Sequence, residues 1–296
     1  MRDVFSSYHP IVNFLFFTLV LAFSMYFMHP LCLGVSFVCA FSYSLYLKGE
    51  KSVKFGLGFM LPMLIVTALI NPAFNHEGVT ILSYLPSGNP LTLESIIYGI
   101  AAAAMLIAVI SWFSCFNAVM TSDKFVYLFG RVIPALSLIL SMSLRFVPRF
   151  IAQIKVISNA QKCIGRDVSN GGVLQRMRQG LRIISIMVTW GLENAIETAD
   201  SMKSRGYGLP GRTAFSIYSF DRRDRTAVLY ILACGVYLLI GAFRGGLYFK
   251  YFPTVVGVEI SPYTISLFAV YIALCIMPVV LNVKEDLKWK ALESKI

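Results

Sequence analysis

Residues 93–118 read LESIIYGIAAAAMLIAVISWFSCFNA, an apolar run whose one charged residue, Glu94, sits at its start. About 20 mainly apolar residues cross the hydrocarbon core of a bilayer, so this stretch reads as a transmembrane helix. Working outward, five more runs qualify or nearly do: roughly Ile11 to Met28, Leu31 to Leu47, Phe55 to Ile70, Thr226 to Phe243 and Tyr263 to Val283. The run ending at Ile70 is the shortest. Pro30 and Pro62 punctuate or kink the early spans, which neighbouring helices permit by re-satisfying the freed carbonyls. The 296 residues are 57% hydrophobic and 14% charged, a balance that a water-soluble globule cannot easily present to solvent. The expected fold is all-α, a polytopic membrane protein with about six transmembrane helices.

The net charge of +11 is concentrated. More than half of the 26 Lys and Arg lie between Arg145 and Arg225. A nucleic-acid surface would need a reading motif or stacking aromatics as well, and this patch is interrupted by Glu193, Glu197, Asp200, Asp221 and Asp224. No nucleic acid is expected as a partner. The positive-inside rule accounts for the side of the membrane on which such residues stand, but not for their helical arrangement. Lys48, Lys51 and Lys54, then Lys124 and Arg131, then Lys284, Lys288 and Lys290 fall on one side if there are six crossings. That places both termini in the cytoplasm and the loop Asn71 to Thr92, which has no Lys or Arg, outside. The N-terminus, with Arg2 ahead of a long apolar run, reads as a first span rather than a removable signal peptide.

The run Phe125 to Val147 contains Arg131, Pro134 and Arg145 and is flanked by basic sequence. It is expected to be a bent helical hairpin or a membrane-interface helix rather than a seventh span. Beyond it, Phe146, Phe150, Ile154 and Ile157 recur at helical spacing, with Lys155, Asn159, Lys162 and Arg166 on nearly the opposite face. Ser169-Asn170-Gly171-Gly172 then reads as a turn with a candidate N-cap. A second helix is expected with Leu174, Met177, Leu181, Ile184 and Val188 on one face and Arg178 and Arg182 on another. A third carries the small-residue seam Leu192, Ala195, Ala199 and Met202 and the acidic stripe Glu193, Glu197 and Asp200. The stripe is read as pairing with Lys155, Lys162, Arg178 or Arg182 in preference to a partner protein. Gly206 and Gly208 suit a helix end, which puts Arg205 in the last turn, where a cation complements the helix dipole. Dipole residue and partner contact are equally open readings of Arg205.

Leu144-Arg145-Phe146-Val147-Pro148, Ala160-Gln161-Lys162 and Met202-Lys203-Ser204-Arg205-Gly206-Tyr207-Gly208, with Arg212-Thr213 beyond, resemble the transmembrane T component of energy-coupling factor transporters. The similarity is strongest from about Ser143 to Arg225. It implies a non-catalytic scaffold whose cytoplasmic helical coupling module joins two ABC-type ATPase subunits to a small substrate-binding membrane subunit. Uptake of a vitamin or trace metal across the plasma membrane is the implied task. No cofactor or metal is expected on this chain; ATP and Mg would reside on the partner ATPases, and membrane lipid surrounds the spans. By resemblance, Ser204, Arg205 and Gly206 form one of two ATPase-docking motifs. The other departs from the family pattern, because strict alignment puts Ile164 where arginine belongs. Arg166, flanked by Gly165 and Asp167, is expected to serve instead, being on the basic stripe and just before a turn. Arg145, Gln161, Lys162, Glu197, Asp200 and Arg212 are expected to support the coupling helices. The implied organisation is residues 1–124 with transmembrane helices 1 to 4, 125–225 with the interface hairpin and coupling helices, and 226–296 with the last two spans and a cytoplasmic tail.

The chain has no GxxxxGK[ST] loop and no GxSxG or HExxH motif. His9, His29 and His76 lack ligand spacing and are expected to be solvated loop residues, and the cysteines to be small core residues. Two rival readings remain: a membrane-embedded lipid-modifying enzyme using Glu193, Glu197 and Asp200, and a stand-alone secondary transporter. The second would place ionisable residues near the bilayer midplane, whereas Glu94 and Arg244 stand near span ends.

Overall fold

The computed structural model describes residues 3–84, 89–130, 133–167, 169, 171–207, 218–259 and 261–293. In chain order the helices are α1 (Pro10–Tyr26), α2 (Pro30–Lys48), α3 (Glu50–Phe55), α4 (Leu61–Phe74), α5 (Leu93–Val119), α6 (Ser122–Gly130), α7 (Pro134–Cys163), α8 (Val173–Ser204), α9 (Arg222–Phe243) and α10 (Pro262–Glu293). Two short antiparallel hairpins, Ile81–Tyr84 with Pro90–Thr92 and Phe249–Lys250 with Val256–Gly257, are the strands among the described residues. The chain divides into two compact units, Met1–Thr121 with Tyr218–Ile296, and Ser122–Ile217. The expected boundaries, 124/125 and 225/226, lie three and eight residues further along the chain. α6 packs on α7 and so belongs with the second unit, while Asp221 opens α9 and so belongs with the first.

Five helical rods of the first unit are long and apolar enough to cross a membrane: α2, the rod Glu50–Phe74, α5, α9 and α10. The sixth expected span, α1, is a shorter apolar helix of 17 residues. The run that looked weakest in the sequence is a 25-residue rod, because the π-helical segment Gly56–Met60 joins α3 to α4. Leu61 N–H reaches back to the carbonyl of Gly56, and this wider turn accommodates Pro62, which has no N–H to offer.

Inside the first unit α5 packs on α1, α2 and α4, α10 on α2 and α9, and α1 on α9. Phe5, Phe16, Phe17, Tyr43, Trp112 and Tyr271 fill its core. The Trp112 indole N–H donates to Ser36 Oγ at 2.9 Å, and Ser36 shares a 2.7 Å hydrogen bond with Ser24. These bonds join α5, α2 and α1 at a depth where an unpaired polar group would be costly.

His9 and His29 are not solvated loop residues. Each is the N-cap of a helix beginning with proline, and each ring Nδ1 accepts from the second helical amide, Ile11 at 3.3 Å and Leu31 at 3.2 Å. His9 is buried, and its backbone N–H donates to Asp224 Oδ1 at 3.0 Å. Asp224 is in turn the third residue of α9 in a capping box with Asp221. The starts of α1 and α9 thus share one buried carboxylate that accepts from the backbone of both, a setting in which helix dipoles also favour the negative charge. This box starts α9 one turn ahead of the expected Thr226.

Candidate functional site

The second unit holds nearly all the residues singled out by the sequence. α7 and α8 are antiparallel: Phe150 meets Trp190 edge to face with ring centroids 5.5 Å apart, and Ile157, Ile183 and Met187 form a small buried core beside them. At Gly191, beside this pair, a β-carbon would stand 3.4 Å from the Phe150 ring, an ordinary van der Waals contact. The bent hairpin expected between Phe125 and Val147 is α6 followed by the start of α7.

Two expectations are corrected. The second and third coupling helices are one continuous 32-residue helix, α8. Gly191 is the sole glycine or proline between Val188 and Leu192, and a single interior glycine costs a helix only about 1 kcal/mol. The acidic stripe also finds no intramolecular partner: Glu193, Glu197 and Asp200 make no ion pair among the described residues. The face of α8 that packs on α7 carries Ile183, Met187 and Trp190. The wider stripe of Leu174, Met177, Leu181, Ile184 and Val188 is exposed, between 55% and 83%. The small-residue seam continues it, with Leu192, Ala195 and Ala199 exposed and Met202 half-buried.

Both long helices finish in the same glycine motif. At the end of α8, Arg205 is the C-cap residue, one position past the last helical turn, and Gly206 has φ +76°. Gly206 N–H donates to Lys203 O and Tyr207 N–H to Met202 O, each at 3.0 Å. At the end of α7, Ile164 is the C-cap residue and Gly165 has φ +72°. Gly165 N–H donates to Lys162 O and Arg166 N–H to Gln161 O, again at 3.0 Å. This is the Schellman arrangement, in which a left-handed residue closes the last carbonyls and glycine pays no steric penalty. Superposing the two ends by their hydrogen bonds pairs Arg205 with Ile164, and Tyr207 with Arg166. This register agrees with the strict alignment, which puts Ile164 where arginine belongs, and it sets Arg166 two positions past the cap.

Ile164 is 62% exposed. The Arg166 side chain is exposed, and among the described residues it has no ion pair. Asp167 bonds inward. Ser169 N–H and Oγ–H donate to its carboxylate, Lys162 stands 3.4 Å away, and Arg176 donates to the Ser169 carbonyl at 2.7 Å. The Ser169 donors, and to a lesser degree Lys162, hold the Asp167 carboxyl below its ordinary range. Ser169 therefore buttresses Asp167, while the N-cap position of α8 falls to Gly172 with no side-chain bond. Arg212, Gly208 and Asn170 lie outside the described residues.

Where the start of α7 runs beside the end of α8, a groove of about 420 Å³ is lined by Arg145, Arg149, Asn194, Glu197, Ser201 and Arg205, among others. The Arg149 guanidinium lies 5.6 Å from the centre of the Trp190 ring. Arg145 and Glu197, expected as supports, and Arg205, expected to dock, thus share one groove. Arg149 was not singled out, though its place one turn after Arg145 was legible. Among the described residues no group of three or more His, Cys, Asp and Glu side chains is arranged to hold a metal ion.

An α-helical, multi-pass membrane unit joined to a pair of long amphipathic helices with matching glycine ends is the class of protein these features define. Within it, a family model described as "Cobalt transport protein" (CbiQ) matches residues 7–215, and the chain belongs to that family. It is similar to the "Energy-coupling factor transporter transmembrane protein EcfT" of Streptococcus thermophilus, 29% identical across 66% of this chain and 80% of that protein. The protein of the same description from Lactobacillus helveticus is 32% identical across 38% of this chain and 41% of its own length. That from Lactococcus lactis subsp. cremoris is 33% identical across 36% of this chain and 40% of its own.

Proposed function

We propose that this chain is the non-catalytic coupling subunit of an energy-coupling factor importer in the plasma membrane. In this reading it links two cytoplasmic ABC-type ATPases to a small substrate-binding membrane subunit for uptake of a vitamin or trace metal. ATP and its magnesium belong to the ATPases. The observation that carries the reading is the pair of matching glycine ends on antiparallel helices. α8 has 32 residues and so is about 48 Å long at 1.5 Å per residue, which sets the two ends far enough apart to meet two separate partners. The exposed apolar stripe from Leu174 to Val188 supports a further contact with a membrane-embedded partner, since apolar surface of this extent marks an interaction face. Closure of the ATPases on ATP would move the two helix ends, and rigid helix pairs carry such motion as units.

Arg205, exposed at its helix end, is assigned as one docking residue, because a guanidinium fork makes several directed hydrogen bonds at once to carboxylates or carbonyls. Truncating such an anchor costs on the order of 2 kcal/mol or more. The test is affinity purification of the tagged chain from native membranes in mild detergent, with co-purifying proteins identified by mass spectrometry. P-loop ATPases and a small membrane protein are expected with the natural chain, and the ATPases should be depleted with Arg205→Ala. Equal ATPase recovery from both would remove Arg205 from the interface. At the α7 end, Arg166→Ala is expected to weaken docking; if Ile164→Asp does so and Arg166→Ala does not, the contact belongs to the cap position.

A further inference from the structure

The groove at the end of α8 gathers Arg145, Arg149 and Arg205 around a single lining carboxylate, Glu197. None of the three arginines is in an ion pair among the described residues. Like charges brought together on a folded surface repel, and the cost is recovered when an external anion binds between them. The Arg149 guanidinium carbon lies 5.6 Å from the centre of the Trp190 ring, a cation–π contact that leaves N–H groups available to donate. Phe150, the next residue, is fixed against the same ring, so the charge on this turn of α7 is presented by a braced side chain.

The spacing indicates what kind of anion fits. Arg145 and Arg149 stand one turn apart, about 6 Å along the helix axis, and Arg205 faces them from the end of the other helix. Three guanidinium groups carried on two helices suit an anion with more than one charged group, such as the carboxylates of an acidic peptide, over a single small anion. Asn194 and Ser201 add neutral hydrogen-bonding groups to the lining, suited to the backbone of a peptide. We propose that the groove receives an acidic segment of the ATPase that docks at Arg205, so that this contact is a three-arginine site rather than a single anchor. The inference rests on the coupling role proposed above.

The test uses the whole complex purified in mild detergent, with ATPase retention followed as NaCl is raised. Arg145→Gln with Arg149→Gln should weaken ATPase binding about tenfold or more and flatten its salt dependence, because fewer charges remain to be screened. Arg145→Lys with Arg149→Lys should recover part of the loss. Arg145→Gln alone, at an exposed site that does not stack on Trp190, should show a smaller loss even if the double variant unfolds. A photocrosslinking residue at position 149 should capture an ATPase peptide rich in Asp and Glu. ATPase retention and salt dependence equal to the natural chain in the Gln variants, while Arg205→Ala still depletes the ATPases, would overturn the three-arginine site and leave the coupling role standing. Loss of co-purified phosphatidylglycerol in place of ATPase would assign the groove to a lipid headgroup and overturn the proposal. Failure of the natural chain to retain any ATPase would sink the coupling role and this inference with it.

Discussion

Asn282 in α10 is fully buried and does the work of a spacer between chain segments far apart in sequence. Its Oδ1 accepts from Val4 N–H at 2.7 Å, and its Nδ2 donates to Asp3 Oδ1 at 2.6 Å, while the other Asp3 oxygen accepts from Tyr43 O–H at 2.9 Å. Asn282→Ala would leave a backbone donor and a carboxylate short of partners away from water, at a cost of about 1–3 kcal/mol. A lowered midpoint in thermal unfolding of the purified protein in detergent is the expected result, and an unchanged midpoint would mean the segment 3–7 is not held through this residue. Such a contact is illegible in sequence, where Asn282 looks like any polar residue near the end of a span. The same holds for His9, whose backbone N–H is bonded to Asp224, 215 positions away. Arg205 and Gly206 were legible because a helix end is a local event: a glycine after an amphipathic run is enough to place it. Ile164 at the other cap was legible by alignment as well, and the sequence alone does not decide between that cap position and the basic Arg166 two positions on.

At the scale of elements, hydropathy located every membrane helix, and what it missed was continuity. The stretch before Phe55 is helical as α3, which a π-helical segment joins to α4, and the break expected near Val188 does not exist, because Gly191 alone does not end a helix. Packing distances lie equally beyond a hydropathy reading. At Gly99 in α5, an added β-carbon would sit 2.7 Å from the carbonyl oxygen of Ala68 in α4, a backbone atom that cannot turn aside. Gly99→Ala is therefore expected to force α4 and α5 apart and destabilise the protein by about 1–3 kcal/mol. Gly34→Ala in α2, where nothing stands within 4 Å of the new methyl, is expected to be neutral or stabilising by up to about 1 kcal/mol. Thermal unfolding of the two variants side by side separates steric contact from helix propensity; a Gly99→Ala protein as stable as Gly34→Ala would contradict the close approach.

For the molecule as a whole, the contacts of the first unit collect the N-terminal segment, the end of α2, the start of α9 and the last part of α10 at one end, through Asp3, Tyr43, Asn282, His9 and Asp224. Tyr46 near the end of α2 also donates to Asp286 of α10 at 2.9 Å. That end carries Lys48, Lys51, Lys54, Arg222, Arg223, Arg225, Lys284, Lys288 and Lys290. The opposite end, where α9 finishes and α5 begins, has Arg244 and Lys250, with Glu77, Glu94 and Glu259 nearby. Cytoplasmic loops hold the excess of Lys and Arg, so the end bearing the N-terminal segment is expected to face the cytoplasm. The expectation is checked by single cysteines in a Cys163→Ser background, which removes an exposed thiol. In intact cells a membrane-impermeant maleimide should label Glu77→Cys, and it should reach Lys51→Cys and Lys288→Cys only after the membrane is opened. The reverse pattern would invert the chain in the bilayer. Labelling of Lys51→Cys and Lys288→Cys from opposite sides would mean an odd number of crossings between them and would contradict the bond from Tyr46 to Asp286, which brings the C-terminal parts of α2 and α10 to the same end.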